Sequence, residues 1–286
     1  MALSVPAPYV RPATLGEALD ALAAGGDPRL VVCGGTDVYP AHATRPIDRP
    51  VLDISRVDGL RGIQALPDGG WRLGATTTWT DVAEATLLPS AFNGLRAAAC
   101  QVGGRQIQNT GTVAGNVVNA SPAADGTPNL LALDASVEVA SAARGSRLVP
   151  LSDFVTGYRE TVLAADELVT GVVVPAIDGA AASTFAKLGS RAYLVISIVS
   201  VAAVAVVRGG RVADARVVVG ACSPVPMRLP ALEATLRGVR ADEAADVVQP
   251  AHLGGLTPID DVRGPAAYRQ DAALTLVRRA VAAVTS

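Results

Sequence analysis

Two stretches of this sequence combine glycines with short hydrogen-bonding side chains, and any chemistry is to be sought there first. One is Val31-Val32-Cys33-Gly34-Gly35-Thr36-Asp37-Val38. An apolar strand delivers the chain into two glycines, a threonine and an acid. Glycines let the backbone approach a ligand closely. A concave run of backbone N–H groups binds phosphate oxygens without a basic side chain, and Thr36 adds a hydroxyl. Taken alone, the segment reads as an ordinary strand–turn–helix junction capped by Asp37.

The other is Asn109-Thr110-Gly111-Thr112-Val113-Ala114-Gly115-Asn116, continuing through Asn119-Ala120-Ser121-Pro122-Ala123-Ala124-Asp125. A polar, small-residue loop of this length between apolar helices needs a reason within a compact domain. A polyhydroxylated, phosphate-bearing ligand would be one, with Asp125 accepting from sugar hydroxyls. A long surface loop is the alternative.

Other chemistries lack their residues. There is no GxxxxGK[ST], no GxGxxG, no HExxH and no GxSxG. Histidine occurs only at His42 and His252, too few for most metal or general-base schemes. Cys33, Cys100 and Cys222 form no CxxC, suit neither a disulfide framework nor an iron–sulfur cluster, and fit a reducing compartment. A net charge of −2 without a basic block argues against nucleic acid. The opening residues show no secretory signal, so a cytoplasmic location is expected.

The elements that must position the two stretches read as α+β. With 286 residues, half of them hydrophobic but only 3% aromatic, the core must be built from Val, Ala and Leu. Thr14-x-x-Glu17 is a capping box opening a helix that Gly25-Gly26 end. Residues 30–33 and 50–54 read as strands, completing a small β-α-β unit. Residues 70–75 form a strand, Thr77 to Thr80 can cap a helix around 81–85, and 91–102 is helical up to Gly103-Gly104. Residues 136–141 and 168–174 alternate as strands, and 175–182 is a linker. A strand at 184–188 follows. The apolar run 192–207 is too short to span a membrane and, with Gly209-Gly210 and 212–221, reads as a buried hairpin. Residues 229–236 and 266–284 read as helices.

Taken together, GGTD at 34–37 and Thr112-Val113-Ala114-Gly115-Asn116…Ala120-Ser121-Pro122…Asp125 resemble the flavin-binding subunits of molybdenum hydroxylases, the xanthine dehydrogenase and carbon monoxide dehydrogenase family. The resemblance extends to the opening at 9–22, to Lys187-Leu188-Gly189-Ser190-Arg191, and to Asp261-Val262-Arg263-Gly264…Tyr268-Arg269. It implies an FAD-binding domain of the para-cresol methylhydroxylase type, in two α+β subdomains at 1–56 and 57–177. A C-terminal α+β domain of the carbon monoxide dehydrogenase flavoprotein type would follow at 178–286.

By the same resemblance, residues 31–38 and 111–116 would hold the FAD pyrophosphate and adjoining groups, and Asp125 a flavin hydroxyl. Val102 and Val169 match apolar positions near the cofactor. Lys187 would lie near the flavin ring and Tyr193 would cover it. Without the family, a surface charge at Lys187 and a core aromatic at Tyr193 would serve equally well. Arg263 and Arg269 read as C-terminal ion-pair or partner contacts. Two positions depart from the family pattern: Ala114 replaces a usual glycine, and Gln108 a common arginine. The implied work is electron relay from two [2Fe–2S] clusters on a small partner subunit to NAD, oxygen or another acceptor. Hydroxylation would occur at a molybdopterin-type cofactor on a large subunit, within a dimer of heterotrimers. A stand-alone FAD oxidoreductase and a flavin-free scaffold subunit are the alternatives.

Overall fold

The computed structural model describes residues 8–286; the start of the first expected subdomain, and of the opening searched for a signal, lies outside them. The N-terminal unit follows from local signals. Thr14 caps α1 (Leu15–Ala23) by accepting from the Glu17 N–H at 3.2 Å, while the Glu17 carboxylate accepts from the Ala13 and Thr14 N–H groups. Around it lie β1 (Tyr9–Val10), β2 (Leu30–Val32), the single turn α2 (Val38–Ala41) and β3 (Val51–Asp53). The three strands are parallel in the order β1-β3-β2, so β2 ends beside β3 and releases the first glycine stretch at the sheet's carboxyl edge.

The second unit is built on a five-stranded antiparallel sheet. It contains β4 (Ile63–Ala65), β5 (Trp71–Gly74), β6 (Ser136–Ser141), β7 (Gly145–Pro150) and β10 (Glu167–Val174), in the order β4-β5-β10-β6-β7. Between β5 and β6 come five short helices: α3 (Trp79–Ala83), α4 (Asn93–Ala99), α5 (Arg105–Thr110), α6 (Val113–Val118) and α7 (Gly126–Ala132). The turn α8 (Leu151–Phe154) and the small hairpin β8 (Val155–Gly157) with β9 (Glu160–Thr161) complete it. The expected long loop at 108–125 is therefore corrected. Half of it is helical, the end of α5 and all of α6, two six-residue pieces too short to show a periodicity and held in place by neighbours and, for α6, by the Thr112 cap.

The third unit is an antiparallel meander of β11 (Ala181–Leu188), β12 (Val199–Arg208), β13 (Arg211–Gly220) and β14 (Met227–Arg228), with α9 (Pro230–Leu236) and α10 (Ala266–Thr285). The hairpin at Gly209-Gly210 forms, both glycines having positive φ. Its first strand begins at Val199, so 192–198 is not strand as expected but an irregular crossing. β12 is apolar on both faces because both are covered. Ala202, Val204 and Val206 join the core of the second unit, and Val199, Val201, Ala203 and Ala205 face the helices of the third. None of the helices among the described residues is long and apolar enough to cross a membrane.

Candidate functional site

A cavity of about 700 Å³ opens where the three units meet, within the range of sites that take cofactor-sized ligands. Its wall begins with residues 30–38 at the end of β2. Gly35 has φ +66°, the left-handed conformation that glycine adopts without strain. Among the described residues, none accepts a hydrogen bond from the N–H of Gly35, Thr36, Asp37 or Val38. Asp37 precedes α2 but makes no capping bond. Four consecutive free donors on a cavity wall form a nest for an anion.

The second glycine stretch faces this nest and touches it. A Cβ on Gly34 would overlap the Thr110 carbonyl, and one on Gly111 would sit 3.3 Å from Thr36 Oγ1. Glycine at both positions is what allows the two segments to meet. Thr112 caps α6, its Oγ1 accepting from the Gly115 N–H at 3.0 Å. Trp79 N–H donates to the Gly111 carbonyl at 3.1 Å and Val113 N–H to that of Thr77 at 3.0 Å, tying the stretch to the start of α3. The methyl of Ala114 is accommodated within α6, where its φ is not positive.

Beyond the loops the wall runs past Val102, Val169 and Asp125 to the third unit. Asp125 is buried with both oxygens engaged: Lys187 Nζ lies 2.6 Å from Oδ2, and Ser197 Oγ donates to Oδ1 at 2.5 Å. Lys187 also donates to the Val195 carbonyl at 3.1 Å, and its side chain is only 7% exposed. It is not a surface charge. Glu167 on the wall pairs with Arg147 through two bonds of 2.9 and 2.8 Å. Arg147, with help from the Ala164 N–H and Arg144, holds its carboxyl down at about 2. Burial, then the charge of Asp53, pushes the Cys33 thiol up to about 11, so the wall carries a neutral thiol there and no thiolate nucleophile.

Of the residues singled out in the sequence, 31–38, Val102, Gly111, Thr112, Ala114, Gly115, Asn116, Asp125 and Val169 line this one cavity. Val113 does not; it is fully buried in the core behind α6. Lys187 lies behind the wall, reaching it through Asp125. Tyr193 is 80% exposed and not part of the wall; Val195 and Ile196, a few residues on, are. Gln108 is buried, donating to the Cys100 carbonyl at 3.0 Å, away from the cavity. Arg269 fits the ion-pair reading: its buried guanidinium donates to Asp261 at 2.6 Å and to the Ile198 carbonyl at 2.6 Å, and Arg263 also pairs with Asp261. Sequence reasoning missed Trp79, Gln101, Ile107, Arg159 and Leu163, which reach the cavity from neighbouring elements. Asn119, Ser121, Ala123 and Ala124 did carry a signal, being inside the second motif.

Comparison with known proteins matches two stretches of the chain to described families. Residues 3–177 match the FAD binding domain in molybdopterin dehydrogenase, and residues 184–284 the CO dehydrogenase flavoprotein C-terminal domain. The xanthine dehydrogenase FAD-binding subunit of Escherichia coli O157:H7 is 30% identical over 96% of this chain and 94% of that protein. The nicotine 6-hydroxylase medium subunit of Paenarthrobacter nicotinovorans is 30% identical over 96% and 95%. Carbon monoxide dehydrogenase from Hydrogenophaga pseudoflava superposes with a TM-score of 0.87 at 26% identity, covering 99% of this chain and 98% of that one. Fold and relatives define the class as an oxidoreductase flavoprotein subunit of the xanthine dehydrogenase type. The chain belongs to the FAD-binding medium subunits of the molybdenum hydroxylases, the xanthine dehydrogenase and carbon monoxide dehydrogenase family.

Proposed function

We propose that this chain holds FAD extended through the cavity and works as an electron relay, taking electrons from a [2Fe–2S] partner subunit and passing them to an external acceptor such as NAD or oxygen. The observation that carries the reading is the row of unpaired N–H groups at 35–38 facing the second glycine stretch. It fits a pyrophosphate, which needs convergent donors rather than a cationic side chain. Bound FAD supplies the redox chemistry. The chain's residues do the rest. Residues 34–38 offer the pyrophosphate their backbone, residues 111–116 close on it from the facing wall, and Val102 and Val169 offer apolar contact. Asp125 accepts a flavin hydroxyl on its remaining lone pairs, and Lys187 sets a positive charge behind the wall. Tyr193 would reach the ring only by a turn of its segment inward. Ala114 and Gln108 leave the nest intact, which argues against a flavin-free scaffold.

Neither histidine lines the cavity: His42 Nδ1 bonds to the Val38 carbonyl, and His252 lies by Thr235. A cavity wall without a histidine favours relay over a stand-alone oxidase needing its own base. The expected partners are a large molybdenum-binding subunit and a small iron–sulfur subunit, in a cytoplasmic dimer of heterotrimers. The visible absorbance of the purified chain after incubation with FAD tests the reading. A bound-flavin spectrum without turnover of a hydroxylase substrate is expected. A chain that stays colourless would sink it.

A further inference from the structure

The ladder between β11 and β12 closes at Leu188 and Val199, where a two-residue turn would suffice to join the strands. The chain instead makes a ten-residue excursion, 189–198, that crosses to the second unit. Val195 and Ile196 line the cavity, and the Leu194 side chain lies over Gly104, at the turn between α4 and α5. Its buried apolar anchor is Ile198 at the C-terminal end of the crossing, whereas Tyr193, Leu194 and Ile196 are exposed and give its middle little apolar hold. Leu194 has φ +52°, a conformation that a branched aliphatic residue keeps only when its surroundings impose it.

What imposes it is a polar cluster. Lys187, on β11, donates to the Val195 carbonyl. Asp125, on the cavity wall at the start of α7, binds Lys187 with one oxygen and Ser197 with the other. Arg191 donates to the Leu194 carbonyl within the crossing, at 2.5 and 3.2 Å. Ser197 and the Asp125–Lys187 pair are buried, so opening the crossing would leave groups of a buried ion pair without their partners.

We propose that residues 189–198 are a strap across the cavity, and that Ser197 and Lys187 are positioning residues which latch it to Asp125 and so retain the bound cofactor. The proposal rests on the FAD reading for what is retained; the latch itself does not. Because Asp125 belongs to both wall and latch, a ligand pressing on the wall and the strap covering it are held by one carboxylate.

The test compares the full chain with Ser197→Ala and Lys187→Met by two readouts. The first is amide hydrogen exchange in flavin-free protein, with α10 as internal reference. The second is the rate of FAD release on dilution, followed by flavin fluorescence. Faster exchange confined to 189–198, with FAD released about tenfold faster or more in Ser197→Ala, is the expected result, in line with a lost hydrogen bond to a charged group. Ser197→Ala leaves the ion pair in place, so it decides the matter if Lys187→Met fails to fold. Unchanged exchange in 189–198 overturns the latch. Faster exchange with an unchanged release rate overturns the retaining role. If the parent chain takes up no FAD, the relay reading fails, while the exchange readout still decides the latch.

Discussion

The glycines of the two stretches are not interchangeable, and the structure ranks them. At Gly34 an added Cβ meets backbone, the Thr110 carbonyl, which has no room to retreat without parting the loops. At Gly35 it meets the ring of Tyr39, an exposed side chain that can turn away, although the positive φ remains unfavourable. At Gly115 it meets only Thr112 Oγ1, at 2.7 Å. Gly34→Ala is therefore expected to be the most damaging of the three alanine variants. It should lower stability by about 1–3 kcal/mol through overpacking and reduce the flavin-to-protein absorbance ratio most. A Gly34→Ala chain with full flavin occupancy and unchanged melting would show that the loops do not meet. Glu167 yields a pH prediction. Its folded pKa lies near 2, below its ordinary 4.5, so its stabilising contribution is present above pH 4.5 and is lost as pH falls from there toward 2. The partly exposed arginines screen the effect, leaving about 1–2 kcal/mol. Wild type should be the more stable at pH 7, and the gap to Glu167→Gln should close across that acid window in melting curves. A gap independent of pH would contradict the assignment.

Short helices make up much of the cavity wall, and they exist because of their ends. α6 has six residues with two β-branched valines at its C-terminus, a poor helix on propensity. The Thr112 cap, the Val113–Thr77 bond and the buried Val113, Ala114 and Val117 hold it. Thr112→Val keeps the shape and removes the cap. The expected loss is about 1 kcal/mol in the urea midpoint, with weaker flavin retention, since the same residue lines the cavity. An unchanged midpoint would mean that packing alone sustains α6. The same elements show what could be read from the sequence. The box at Thr14 and Glu17, the Gly209-Gly210 turn and strands such as 136–141 announce themselves, because the interactions that make them are local. α5 and α6 could not be read, because each is only six residues long, α6 carries Gly115 and Asn116, and their support comes from distant segments. The start of β12 was misplaced for a related reason. Residues 192–198 are apolar enough for a strand, but in the structure they leave the ladder to cross the cavity, a tertiary demand that no alternation records.

Pairing between units was equally hidden. Asp134, after α7, forms ion pairs with Arg216 of β13 at 3.0 Å and Arg228 of β14 at 2.5 Å, contacts that join the second and third units and leave no mark in the sequence around any of the three. More of the junction is apolar. The core beneath the five-stranded sheet includes Ala181, Phe185, Ala202, Val204, Val206 and Val218 from the meander, so one hydrophobic cluster spans the boundary between the two matched family domains. The cavity depends on this shared core, because Val195, Ile196 and the Asp125–Lys187 pair exist as wall only while the third unit is docked. A piece comprising residues 1–177 would expose the face that these side chains cover, a contiguous apolar surface of the kind that drives association. It is expected to aggregate or bind a hydrophobic dye, and to retain no FAD. The full chain, by contrast, should unfold in a single transition seen alike by circular dichroism and tryptophan emission, because Trp71 and Trp79 both belong to or pack against the shared core. Two separated transitions in the full chain, or a soluble 1–177 piece that unfolds cooperatively and keeps flavin, would show that the second unit closes its core unaided and that the meander adds only the far side of the cavity.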